Sequence, residues 1–113
     1  MTISNNHDHI HNINIGRNIL EATIKINPDT LPRIVNLKGQ TARALVALVK
    51  AGRQGTTALE ISSWALRLSA YVHTLRTKHG IDIITRPEEH EGGTHARYVL
   101  LTPVEVLSIQ QNV

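Results

Sequence analysis

Residues 56–80 read TTALEISSWALRLSAYVHTLRTKHG, and this stretch decides how the rest of the chain is read. Thr57 and Glu60 stand at the S/T-x-x-E spacing of a capping box, which starts a helix by satisfying two orphan backbone N–H groups. Ser62, Ser63 and Trp64 weaken that helix and end it. A further helix is predicted from about residue 67 to 79, with Gly80 just past its end, where a left-handed residue is favoured. On a 3.6-residue wheel Leu68, Tyr71, Val72, Leu75 and His79 form one stripe for burial. The opposite side carries Arg67, Ala70, His73, Thr74 and Thr77, flanked by Ser69, Arg76 and Lys78, with no acidic residue. Small residues let a helix approach closely, and basic and hydroxyl groups reach phosphates and base edges. The plainer alternative is a solvated helix face; the neighbouring elements favour the groove-facing one.

Upstream, residues 41–51 (TARALVALVKA) predict a helix with Ala42, Leu45, Leu48 and Val49 on one face. Arg43, Lys50 and Arg53 are expected on its solvent side, and Gly52 and Gly55 end it. Leu59 and Ile61 are expected to be buried. Residues 17–26 (RNILEATIKI) fit neither the helical nor the strand period. Asn27-Pro28-Asp29 is a turn signal, and Pro32 is expected to prevent a regular element nearby. Residues 1–16 have no helical repeat and read as a flexible arm. His7, His9 and His11 alternate there and could hold a divalent metal, but a floppy site lacks supporting groups, so a solvated tail is favoured.

Downstream, residues 81–86 predict a strand, 87–94 (PEEHEGGT) a loop turning at Gly92-Gly93, and 95–101 the return strand. Thr102, Pro103 and Glu105 have the N-cap, N1 and N3 chemistry of a closing helix, with Val104, Leu107 and Ile109 packing inward. The fold class expected is mainly α with a β-hairpin. Residues 1–38 are expected as a partly flexible arm for dimerisation or DNA contact, and 39–113 as the folded domain.

Composition narrows the function. The chain has 113 residues, enough for one domain with a modest core. Aromatics make up 3% and phenylalanine is absent, which argues against stacking on single-stranded nucleic acid. There is no cysteine, so disulfides and thiolate metal sites are excluded. No apolar run approaches the ~20 residues of a membrane span, and the polar first residues are no signal peptide, so the expected home is a bacterial cytoplasm, at the nucleoid. Net charge is +3, placed unevenly: residues 39–86 carry seven basic and two acidic groups, while 87–113 carry one basic and four acidic. Positive charge therefore sits on the central helices, as a duplex-binding protein requires.

The segments GQTARALVALVKAG, TTALEI, RLSAYVHTLRTKHGIDIITR and THARYVL resemble the small bacterial, phage and plasmid winged helix-turn-helix family. The resemblance covers roughly residues 39–107. It implies a three-helix core, a wing hairpin and a C-terminal helix. It also implies double-stranded DNA binding with the third helix in the major groove. Carried over residue by residue, the groove contacts fall on Arg67, Ser69, Ala70, His73, Thr74 and Thr77, with phosphate contacts from Arg76 and Lys78. One departure concerns the wing, where Glu88, Glu89 and Glu91 surround His90. Carboxylates are repelled by phosphates, so the tip is expected to point away, leaving Arg86, His95 and Arg97 at its base to approach DNA.

The expected function is a sequence-specific regulator, a repressor acting as a dimer or cooperative oligomer because one short helix reads too few base pairs. Two alternatives stand beside it: an architectural or excision-type factor that bends DNA, and a protein-interaction module using the acidic wing. No enzyme is expected, for want of a phosphate-binding glycine loop, a cysteine nucleophile or paired carboxylates in an apolar setting. No cofactor, metal, membrane or small-molecule partner is expected; His90, His95 and the wing glutamates read as solvated rather than metal-binding. If His73 faces the groove, its protonation as pH falls to about 6 adds positive charge and should tighten binding.

Overall fold

The computed structural model describes residues 2–4, 19–28, 31–61 and 63–111. Strand β1 (Thr2–Ser4) is followed by β2 (Ile19–Ile26) and β3 (Arg33–Lys38). Helix α1 (Gly39–Ala51), a 3-10 turn (Gly52–Gln54), the short α2 (Ala58–Ile61), a second 3-10 segment (Ser63–Arg67) and α3 (Leu68–His79) come next. Strands β4 (Ile83–His90), β5 (Gly93–Leu100) and β6 (Val104–Gln111) complete the described chain. The mainly-α expectation is therefore corrected: about 44% of the described residues are strand and about 40% helix.

Two segments account for the difference. The expected closing helix is strand β6. Val106 and Ile109 are buried and Val104 half-buried, all against the core. Thr102, expected as an N-cap, instead accepts the Asp82 N–H at 2.7 Å, and the Leu101 N–H is donated to the Asp82 carbonyl at 2.8 Å. The second segment is 19–38. The chain that matched neither period is β2, with Ala22, Ile24 and Ile26 turned inward, and Pro32 directly precedes a strand rather than preventing one. From residue 19 the expected arm thus contributes two strands and several core side chains. His7, His9 and His11 lie outside the described residues.

The larger sheet has the order β1-β6-β2-β3, with each neighbouring pair antiparallel. Its register sets Ala22 beside Leu37 and Ile109, and Ile24 beside Val35 and Val106, with a shift between Thr23 and Ile24. Helix α1 packs on this sheet and is hidden on nearly every side, with residues 42–48 all buried. That corrects the placing of Arg43, which is only 4% exposed, and burial pulls its pKa down against the opposing influence of Tyr71. Its Nη1 donates to Gln40 Oε1 at 3.4 Å. Leu59, expected inside, is 70% exposed. Leu68, Val72 and Leu75 of α3 close the core from the other side. Each such aliphatic contributes about 1.5–3 kcal/mol by leaving water.

Strands β4 and β5 form a separate hairpin. It is tied to the helices by a short bridge in which Thr56 N–H donates to Tyr98 O at 2.9 Å and Tyr98 N–H to Thr56 O at 2.8 Å. Gly55 makes that bridge possible. Its φ is +69°, and a Cβ there would lie 2.4 Å from Tyr98 O. Only glycine accepts both constraints.

Candidate nucleic-acid interface

Helix α3 begins and ends as its sequence predicts. Arg67 occupies the N-cap position, and Gly80 takes the left-handed conformation (φ 63°, ψ 29°) with its N–H aimed at the Arg76 and Leu75 carbonyls. The sequence does not foretell a third fixing contact: Arg33, from β3, donates through Nη2 to the His79 carbonyl. With the apolar stripe in the core, Arg67, Ser69, Ala70, His73, Thr77 and Lys78 are exposed and Thr74 half-exposed. The residues expected on one face are thus on one face, and no carboxylate interrupts them.

Two of their hydroxyls are already engaged. Thr74 Oγ1 donates to Ala70 O at 3.2 Å, and Thr77 Oγ1 donates to His73 O at 2.9 Å. Each hydroxyl proton is spent within the helix, but each oxygen still accepts, so a base edge would meet an acceptor and a methyl group.

Two arginines expected at DNA are held by the protein instead. Arg76 Nε donates to Ile83 O at 2.9 Å, and its Nη2 donates to the same carbonyl and to Thr85 Oγ1 at 2.7 Å. It straps the last turn of α3 to β4. Arg97 is more fully committed. Its Nε meets Glu88 Oε2 at 2.5 Å, its two terminal nitrogens meet Glu60 Oε1 and Oε2 at 3.0 and 3.1 Å, and Nη1 also reaches the Gln54 and Gly55 carbonyls at 3.3 Å. A guanidinium so saturated has nothing left for a phosphate. Arg86, its register partner on β4, is exposed and makes no ion pair among the described residues.

Around Arg97 the electrostatics are mutual. Hydrogen bonding from Arg97, and secondarily from His95 at 3.2 Å, holds the Glu88 carboxyl down at about 2, while Glu88 and then Glu60 raise the Arg97 pKa. Glu60 also completes the capping box: it accepts the Thr57 N–H at 3.3 Å, and Thr57 Oγ1 accepts the Glu60 N–H at 3.2 Å. One carboxylate therefore caps α2 and holds the wing. The wing is less acidic than its sequence reads, because Glu88 is neutralised at its root. Among the described residues there is no group of three histidine, aspartate or glutamate side chains suited to a metal. No helix among them is long and apolar enough to cross a membrane.

A three-helix unit whose last helix presents an acid-free outer face, followed by a hairpin bridged back to the start of the second helix, is a winged helix-turn-helix. The chain belongs to a winged helix domain family, whose model matches residues 34–110. The matched stretch starts within β3 and runs almost to the end of β6, so the family unit includes the closing strand and leaves β2 outside. Searches of curated proteins and of solved structures each returned no match. Membership of this family points to DNA binding in general.

Proposed function

We propose that this protein is a sequence-specific double-stranded DNA-binding regulator that lays α3 in the major groove and acts as a repressor. The observation that carries the reading is the outer face of α3, where Arg67, Ser69, Ala70, His73, Thr74, Thr77 and Lys78 stand together without a carboxylate. Arg67, Lys78 and Arg86 serve as the phosphate ligands, and the small and hydroxyl-bearing residues between them lie against base edges. Arg76 and Arg97 act one step back, setting the angle between helix and wing. A twelve-residue helix covers few base pairs, so tight specificity calls for two copies on a repeated or palindromic site. A cytoplasmic, nucleoid-associated protein fits this role.

The test is a salt titration on random-sequence duplex DNA. Each phosphate neutralised contributes about −0.9 to the slope of log K against log salt. Arg67→Gln with Lys78→Gln should flatten the slope by about 1.8 while leaving the fold intact. A protein that does not bind duplex at low salt would remove the reading altogether.

A further inference from the structure

The last turn of α3 gathers more positive charge than its own fold requires. Arg33 reaches it from β3, one residue ahead of the family-matched stretch. The guanidinium bonds the His79 carbonyl and approaches so closely that a Cβ on Gly80 would lie 3.1 Å from Nη2. Lys78 projects from the same turn, and both cations are exposed. Neither forms an ion pair with any carboxylate among the described residues. His79, half-buried, feels both: its pKa is lowered by burial first and then by Arg33 and Lys78.

One cation at a helix C-terminus is ordinary, because it complements the negative end of the helix dipole. Two cations brought to one helix end from separate elements repel each other, and an anion bound by both would relieve that repulsion. The Arg33 bond to His79 O uses part of a five-donor fork and holds the side chain in place, so its remaining N–H groups are pre-arranged for a second acceptor.

We propose that Arg33 and Lys78 form a phosphodiester clamp for duplex DNA at the C-terminal end of α3. This rests on the DNA-binding reading above and extends the interface onto the β2–β3 hairpin. Geometry supports the assignment. The twelve residues of α3 span about 18 Å, and the major groove is about 12 Å wide. With α3 laid obliquely across the groove, Arg67 at one end and the Arg33–Lys78 pair at the other are far enough apart to reach the phosphate rails on opposite sides. Ser69, Ala70, His73, Thr74 and Thr77 lie over the bases between them.

The experiment measures affinity for a random-sequence duplex by fluorescence anisotropy across a potassium chloride series, for wild type, Arg33→Gln and Arg33→Lys. Glutamine keeps a donor for the His79 carbonyl and removes the charge. The glutamine variant should flatten the log–log slope by about 0.9, and the lysine variant should restore it. A wild-type slope in Arg33→Gln overturns the clamp while leaving DNA binding standing. A wild type that binds no duplex removes both readings. Should Arg33→Gln fail to fold by circular dichroism, the wild type decides. Added duplex should raise the midpoint of the His79 ring titration followed by NMR, since a phosphate would offset the two cations. An unmoved midpoint overturns the clamp.

Discussion

Replacing Gly55 with alanine should unfasten the wing, and Gly52 provides the internal control. Both residues have positive φ, +69° and +60°. A Cβ on Gly52 meets nothing within 4 Å, so Gly52→Ala carries only the strain of its φ 60°, ψ −140° backbone, roughly 1–3 kcal/mol. A Cβ on Gly55 lies 2.4 Å from Tyr98 O and 2.6 Å from Val99 Cγ2. The first of these is backbone, so no side-chain rotation relieves it. The Thr56–Tyr98 bridge must open, with its hydrogen bonds of 2.9 and 2.8 Å, each worth about 1 kcal/mol net. Gly55→Ala, with φ 69° and ψ −175°, should therefore cost about 3–5 kcal/mol, a large fraction of the roughly 5–15 kcal/mol that holds a domain together. Urea unfolding followed by circular dichroism measures both variants, and heat should show about 4 °C lost per kcal/mol. If the two alanine variants unfold within experimental error of each other, the bridge does not depend on Gly55 and the reasoning fails.

The capping box gives a smaller effect: Thr57→Ala should cost about 1 kcal/mol in a urea melt, and an unchanged midpoint would show that the Thr57–Glu60 exchange contributes nothing. Leu75 has no exposed surface, and Leu75→Ala should cost about 2–5 kcal/mol through the cavity it leaves, read by thermal denaturation. Glu88 makes stability acid-sensitive. Its pKa falls from 4.5 to about 2 on folding, so its contribution is complete above the higher value and is lost as pH drops towards the lower. Glu88→Gln should therefore show a flatter stability profile across that acid range, whereas an equally steep profile would place the acid sensitivity elsewhere. Arg97→Gln should loosen the wing, seen as faster amide exchange in β4 and β5, without changing the salt slope of duplex binding. A flattened slope would return Arg97 to the phosphates.

What the sequence discloses is what local chemistry decides. The capping box at Thr57 and Glu60, the helix to His79, the stop at Gly80 and the hairpin turning near Gly92-Gly93 are all written within a few residues of where they act. The outer face of α3 follows from periodicity alone. What stayed hidden depends on partners distant in the chain. Residues 102–105 carry a sound helix start, but the place between β1 and β2 in the sheet outweighs it. The shift between Thr23 and Ile24 breaks the alternation that would have announced β6. Leu20 beside Ile19 blurs the alternation in β2. Residue type places Arg43 outside, yet α1 is covered by the sheet on one side and α3 on the other. Charge alone assigns Arg97 to DNA, while Glu60 and Glu88 claim it. Those partners become visible only once the hairpin is folded back on α2.

The sheet order also governs how the molecule can be made. β6 is the last of the described strands to be synthesised, yet it lies between the two earliest, β1 and β2. The β2–β3 hairpin can pair soon after it emerges, but one long side of β2 then stays bare until residue 111 is available. At about 5–20 residues per second, translation keeps that edge open for seconds, with Leu20 and Ile34 exposed nearby. Open edges of this kind recruit other chains. A nascent chain stalled before Val104 would therefore have no centre to its sheet, and its first-made hairpin would be the surface on which it aggregates.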